Sequence, residues 1–235
     1  MDWVRDGSAL LLRRLDQLGR QATAGPSLLP GWSRAHVLTH LARNADALVN
    51  LTVWARTGVE HPMYPDAASR TADIERGAQR LSDEVLTDVL EADSRLLTAL
   101  ATMPAHAWHA SVRSAMGRCI SAAEIPWMRT RELWVHLIDL DMGDDFDILP
   151  DDLVDALLVD ASAAVGTKSD CPAIVLRPID RINTAYRLGP KDVPPAAVND
   201  ITATAAALCA WLLGRPTPAA RAVAANTDAR LPPWL

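Results

Sequence analysis

Two pairs of side chains in this sequence have the types and the spacing of metal ligands. His36 and His40 are four residues apart in one segment, and Glu132 and His136 are four residues apart in another. Residues four apart share one face of an α-helix, so two facing helices would offer four candidate ligands to one point. A catalytic zinc site takes three protein ligands and leaves one position open. Two histidines and one glutamate would suit such a site.

Each pair also has a purely structural interpretation. A glutamate and a histidine one helical turn apart often form a surface contact worth roughly 0.2–0.5 kcal/mol. Two histidines at this spacing often arise by chance or through packing. The interpretation as metal ligands gains weight because both pairs lie in amphipathic segments of one predicted helical bundle.

The segment that carries the two histidines is predicted to be the second helix of this bundle. Apolar residues recur at helical spacing in a first segment near the N-terminus. Ser33 is then a good N-cap for the second helix, and Gly58 ends it. Residues 67–103 follow as one long or two broken helices, with a fresh start at Ser82.

The segment that carries Glu132 and His136 is predicted to be another helix. Residues 105–120 are irregular, with an extended stretch near 108–112. Ser121 and Glu124 fit a capping box, which predicts a helix from there to about residue 141. About four long helices in all predict a bundle.

A different pattern begins near Gly143. We therefore predict a helical domain over residues 1–143 and a small C-terminal domain over residues 144–235. The C-terminal part contains a helix, two strand-like runs and a last helix, an αββα order; these elements fall at about 151–165, 173–177, 182–188 and 198–213. The predicted fold class is mainly α, a four-helix bundle followed by a small α+β part.

Composition restricts the class of protein. The net charge of -6 argues against a nucleic-acid partner, which would favour a basic face. Three widely spaced cysteines argue against a disulfide framework and favour a reducing compartment. Neither a signal peptide nor a run of about 18 apolar residues is visible, so no membrane association is predicted. We therefore expect a cytoplasmic protein.

Two stretches of this sequence resemble signatures of a known family. The stretches LPGWSRAHVLTHLARNADAL (29–48) and IPWMRTRELWVHLIDL (125–140) are similar to the two signatures of the mycothiol-dependent maleylpyruvate isomerase family, within the DinB-like superfamily. The runs WLLGR (211–215) and LPPWL (231–235) resemble the C-terminal region of that family. The resemblance spans nearly the whole chain and implies a DinB-like four-helix bundle that holds a divalent metal, usually zinc.

The resemblance also implies a ligand set. The family's metal ligands fall on His40, Glu132 and His136, which leaves His36 one turn away in the core or beside the bound cofactor. By spacing, Asn44 lies one turn beyond His40 and could contact a bound ligand.

Three further residues have suggested roles near the metal. Asp139 could orient the ring of His136, although it could equally be an ordinary residue near a helix end. Arg129 could pair with Glu132 or with a substrate carboxylate. The resemblance implies that Arg215 helps at the active site, whereas its structural alternative is a cation at a helix C-terminus.

The activity that the resemblance implies is a cis–trans isomerisation. Mycothiol, held as a thiolate by zinc, would add to maleylpyruvate or a similar cis-alkene acid, the resulting single bond would rotate, and the thiolate would leave. No protein cysteine is required, and Cys119 is interpreted as structural. The partners would be a small-molecule thiol and a small electrophile, and we expect a monomer or a weak dimer.

Two other functions stay open at this point. A mycothiol S-transferase would join the thiol to an electrophile and would use the same three ligands. A non-enzymatic metal-binding or regulatory module is the other alternative, although the intact set of three ligands argues against it.

Overall fold

The described part of this computed structural model covers residues 1–18 and 23–234, so the last residue of the LPPWL run lies outside it. The chain divides into two units, Met1–Met142 and Gly143–Leu235. The first unit is built from long helices, which are α1 (Asp2–Leu18), α2 (Arg34–Thr57), α3 (Ala67–Ala78), α4 (Ser82–Ala101) and α5 (Ile125–Asp139). Helix α2 packs against α3, α4 and α5, and α1 packs against α4 and α5. The central helix of this unit is therefore α2.

Both ends of α2 follow from its sequence. The Ser33 hydroxyl accepts a hydrogen bond from the backbone N–H of His36, and the His36 ring accepts one from the backbone N–H of Ser33. Gly58 ends the helix in the left-handed region at φ 71°, where a residue without Cβ is favoured. The predicted start and end of this helix are confirmed.

Residues 67–103 form two helices. Asp66 accepts a hydrogen bond from the backbone N–H of Ser69 at 2.6 Å and so caps α3. Helix α4 begins at Ser82, as predicted, and the Glu84 side chain accepts from the backbone N–H of Leu81.

The segment before α5 differs from its prediction. A short 3-10 helix (Ala105–His109) leads into the antiparallel strands β1 (Ser111–Arg113) and β2 (Cys119–Ser121), and a second 3-10 turn (Ala122–Glu124) follows. Helix α5 therefore begins four residues after Ser121. The capping box is absent because the Glu124 carboxylate pairs with Arg118 at 2.7 Å.

The second unit combines helices with a small mixed sheet. Its elements are α6 (Asp151–Gly166), β3 (Ile174–Pro178), β4 (Tyr186–Leu188), β5 (Asn199–Ala203), α7 (Ala205–Leu212) and α8 (Pro218–Ala225). The strand order is β4-β3-β5, with β4 antiparallel and β5 parallel to β3. A mainly α fold with a small α+β part is confirmed.

The predicted αββα order of this unit is wrong in detail. The segment expected to begin the last helix is β5, and α7 begins only after Thr204, whose side chain accepts from the backbone N–H of Ala207. Residues 199–203 contain one large apolar side chain, Ile201, and so short a segment shows no periodicity that would distinguish a strand from a helix. Pairing with β3 decides the conformation of this segment.

None of the described helices is long and apolar enough to cross a lipid bilayer.

Candidate metal centre

Three side chains from α2 and α5 converge in the first unit. His40 Nε2 lies 2.8 Å from Glu132 Oε2, and His136 Nε2 lies 3.4 Å from the same oxygen. The two imidazole rings meet edge to face, with centroids 4.6 Å apart. One ligand atom from each residue lies within 4.8 Å of the others. Among the residues that the structure describes, this is the group able to hold a metal ion.

The burial of the three side chains differs. His40 is buried, whereas the Glu132 side chain keeps 26% of its surface exposed and that of His136 keeps 13%. Because Glu132 Oε2 contacts both imidazoles and its side chain is still partly open to solvent, a small ligand could reach the point where the three side chains meet.

A buried carboxylate fixes the orientation of His136. Asp139 Oδ2 lies 2.8 Å from His136 Nδ1, and Asp139 is itself fully buried. This contact holds the Nδ1 proton on the Asp139 side and directs Nε2 toward Glu132, so that a metal could displace the Nε2 proton and bind there, as metal-binding histidines commonly do.

The pKa values of the three groups move in different directions. Burial lowers the pKa of His40 below the ordinary 6.5, although Glu132 acts against this. Burial alone would raise the pKa of Glu132, but the charge of His40 and hydrogen bonds with both histidines hold it well below its ordinary value. Burial also acts to lower the pKa of His136, but hydrogen bonds to Asp139 and Glu132 outweigh burial and raise it. A carboxylate that stays ionised beside two imidazoles is a suitable donor set for a divalent cation.

His36 lies at the first turn of α2. Its Nδ1 belongs to the N-terminal cap, its Nε2 lies 3.4 Å from Glu75, and its ring stacks on Trp32 at 6.1 Å. Spacing alone had left His36 as a fourth candidate ligand, but it is not part of the group that converges on Glu132. A role for His36 in cofactor binding stays a prediction.

Arg129 and Asn44 belong to one buried hydrogen-bond network. Arg129 is fully buried and donates to Asp93 Oδ1 at 2.8 Å, to Asn44 Oδ1 at 3.0 Å and to the Leu41 carbonyl at 2.9 Å. Asp93 is therefore the carboxylate that pairs with Arg129, and the suggested pairing of Arg129 with Glu132 is wrong. These contacts join α2, α4 and α5 one turn from His40 and Glu132. The roles predicted for Arg129 and Asn44 in catalysis and cofactor binding stay predictions.

Arg215 lies in the second unit, just after α7. Its Nη1 donates to the Leu213 carbonyl at 2.8 Å, and its backbone N–H donates to the Ala210 carbonyl. These contacts belong to the end of a helix, and the catalytic role of Arg215 stays a prediction.

Cys119 is exposed on β2, with its Sγ 3.4 Å from the Ser111 hydroxyl.

Two residues beside the three converging side chains were missed by sequence reasoning. Arg70 on α3 lies 3.2 Å from His40 Nδ1, and its guanidinium lies over the ring of Tyr64. Arg70 is thirty residues from His40 in the chain, and no periodicity relates the two. Only the packing of α3 on α2 brings them together.

The fold and the three converging side chains define a DinB-like helical bundle with a candidate site for a divalent metal. The chain belongs to the family described as "Mycothiol maleylpyruvate isomerase N-terminal domain", whose model matches residues 4–141. A crystal structure of the mycothiol-dependent maleylpyruvate isomerase is similar at 28% identity and a TM-score of 0.85, over 92% of this chain and 88% of that one. The crystal structure of a histidine-to-alanine mutant of that isomerase is similar at 28% identity and a TM-score of 0.84, over 91% of this chain and 87% of that one. A comparison with curated protein sequences found no match.

Proposed function

We propose that this protein is a mycothiol-dependent cis–trans isomerase of maleylpyruvate or a similar cis-alkene acid. The observation that carries the proposal is the convergence of His40, Glu132 and His136 within 4.8 Å of one another. The fold around them is similar to a crystal structure described as the mycothiol-dependent maleylpyruvate isomerase. The three residues would hold a divalent metal, and zinc suits two imidazoles and one carboxylate.

A metal bound there would lower the pKa of a coordinated thiol, so that a thiolate is present near neutral pH. The surroundings of the three side chains favour the protonation states that bind a metal. Burial lowers the pKa of His40 and so favours its neutral, ligating form. Asp139 holds the Nδ1 proton of His136, and the low pKa of Glu132 keeps its carboxylate ionised.

The proposed substrate reaction needs no oxidant and returns the thiol unchanged. The cis double bond is conjugated to a carbonyl, so it can accept a thiolate at one carbon while its electron pair moves to the carbonyl oxygen as an enolate. The former double bond is then single and rotates. Collapse of the enolate expels the thiolate and gives the trans alkene.

The test supplies zinc-loaded protein with mycothiol and maleylpyruvate and follows the vinyl protons by NMR. We expect conversion to the trans isomer, with no net consumption of thiol. His40→Ala should remove the activity, whereas His106→Ala, which changes an exposed histidine outside this group, should retain it. A stable thioether product would instead identify an S-transferase. Absence of any reaction with electrophiles would favour a binding module and overturn the proposal.

Cobalt provides a test of the ligand set that does not need activity. Co²⁺ bound by two imidazoles and one carboxylate absorbs visible light. We expect this absorption in the original protein and in the His106→Ala variant. The same spectrum and stoichiometry in His40→Ala would contradict the assignment of His40 as a ligand.

A further inference from the structure

The guanidinium of Arg70 contacts His40, one of the three candidate metal ligands. Its Nη2 lies 3.2 Å from His40 Nδ1, and its Cζ lies 5.6 Å from the centroid of the Tyr64 ring. Both Arg70 and Tyr64 are half-buried. Other arginines of this unit pair with carboxylates, such as Arg43 with Asp88. No ion pair joins Arg70 to a carboxylate among the residues that the structure describes.

The contact between Arg70 and His40 is incompatible with metal binding by the same imidazole. A guanidinium only donates hydrogen bonds, so Nδ1 must accept and the proton of a neutral ring lies on Nε2, facing Glu132. A neutral imidazole that binds a cation through Nε2 carries its proton on Nδ1 instead. Binding of a metal at Nε2 therefore releases the Arg70 guanidinium from His40.

The charge of Arg70 also acts against a bound cation. Two positive charges a few ångströms apart repel each other strongly in a partly buried site. An arginine at this position weakens metal binding, and it has no anionic partner of its own in the described chain. An anionic ligand beside the metal position would reduce the repulsion between Arg70 and the metal, and it would give Arg70 an anionic partner.

We propose that Arg70 and Tyr64 form the subsite that binds a carboxylate of an anionic substrate beside the metal position. This inference rests on the proposed function and names the residues that recognise the acid. A guanidinium presents paired N–H donors that match a carboxylate in a bidentate arrangement. The guanidinium Cζ lies 5.6 Å from the centroid of the Tyr64 ring, close enough for a cation–π contact that helps to hold Arg70 in place. Release from His40 on metal binding makes the donors available to the carboxylate.

The experiment measures two affinities in the full-length protein. Zinc affinity is determined by competition with a chelator. Succinate, a saturated dicarboxylate that cannot isomerise, is titrated calorimetrically into the zinc-loaded protein. The variants are Arg70→Gln and Arg70→Lys, with Arg76→Gln as the matched control, because Arg76 lies on the same helix, is exposed and pairs with Asp73.

We expect the two affinities of Arg70→Gln to move in opposite directions. Succinate should bind at least about 10-fold more weakly, as expected for loss of hydrogen bonds to a charged group, while zinc binds as tightly as before or several-fold more tightly. Arg70→Lys should lie between Arg70→Gln and the original protein for succinate, since it keeps the charge but not the paired donors. Arg76→Gln should change neither affinity.

Two outcomes would overturn the proposal. Unchanged succinate binding in Arg70→Gln would show that Arg70 does not recognise the acid. Weaker binding of both zinc and succinate would show that Arg70 only supports the metal site structurally. Because neither measurement uses turnover, a protein that fails to isomerise maleylpyruvate can still pass this test, and the two proposals fail separately.

Discussion

Asp139 lies three residues after His136, is fully buried, and its Oδ2 is 2.8 Å from His136 Nδ1. The backbone carbonyl of Asp139 also accepts a hydrogen bond from the N–H of Leu28, so the segment before α2 helps to hold this residue in place. The contact with buried Asp139 fixes the orientation of His136, which is one of the candidate metal ligands.

Loss of the Asp139 carboxylate should weaken metal binding. Removing the partner of a ligating histidine typically costs about 10–100-fold in metal affinity, so we expect a loss of that size in Asp139→Asn. Zinc competition with a chelator measures it. Asp141→Asn is the control, because that side chain is exposed two residues further on, and it should retain the original affinity. Equal affinities in the two variants would show that the hydrogen bond does not support the site.

The raised pKa of His136 should be visible in metal-free protein. Asp139 and Glu132 favour the protonated ring, so NMR titration should give a pKa above the ordinary 6.5. Because this pKa is higher in the folded than in the unfolded chain, its contribution to the free energy of unfolding is fully present below pH 6.5 and is lost as pH rises through the folded value.

Substitution of His136 tests the sign of this linkage. Metal-free His136→Gln should lack the part of the pH dependence above 6.5 that the original protein shows in urea unfolding. A variant whose unfolding free energy declines with pH as steeply as that of the original protein would contradict the assignment of this effect to His136.

The buried pair of Arg129 and Asp93 should be important for stability. Removing one partner of a buried ion pair leaves the other charge uncompensated and costs about 3–5 kcal/mol. We expect a loss of this size in Arg129→Met, measured by urea unfolding, and partial recovery in the double variant with Asp93→Leu. Arg76→Met removes a mostly exposed pair and should change stability by less than about 1 kcal/mol. A stable Arg129→Met protein would show that the network does not hold the helices together.

Gly77 lets α3 approach α2 next to the candidate metal centre. A Cβ at Gly77 would overlap the Cγ2 methyl of Thr39, the residue before His40. Gly77→Ala should therefore destabilise the protein by about 1–3 kcal/mol, although alanine is the better helix former.

The double variant with Thr39→Ala separates overlap from a backbone effect. Thermal unfolding should show that it is more stable than Gly77→Ala alone, because the overlapping methyl is gone. A double variant no more stable than the single one would mean that the overlap is not the cause.

The sequence by itself determined what depends on local spacing. The four-residue spacing within each pair placed Glu132 and His136 on one face of α5, and Ser33 and Gly58 fixed the ends of α2. Spacing still left four candidate ligands, and the family resemblance selected three. These features were accessible because caps and helix faces depend on residues within one or two turns.

Only the tertiary structure decided what depends on distant packing. Residues 199–203 resemble the start of a helix until β3 supplies their hydrogen-bond partners. Asp93 becomes the partner of Arg129 only because α4 and α5 both pack on α2. Arg70 reaches His40 because Gly77 and Thr39 allow α3 close to α2, a contact between residues with no shared periodicity. The candidate metal ligands could thus be named from the sequence and its family resemblance, whereas the cation beside them depends on how two helices pack.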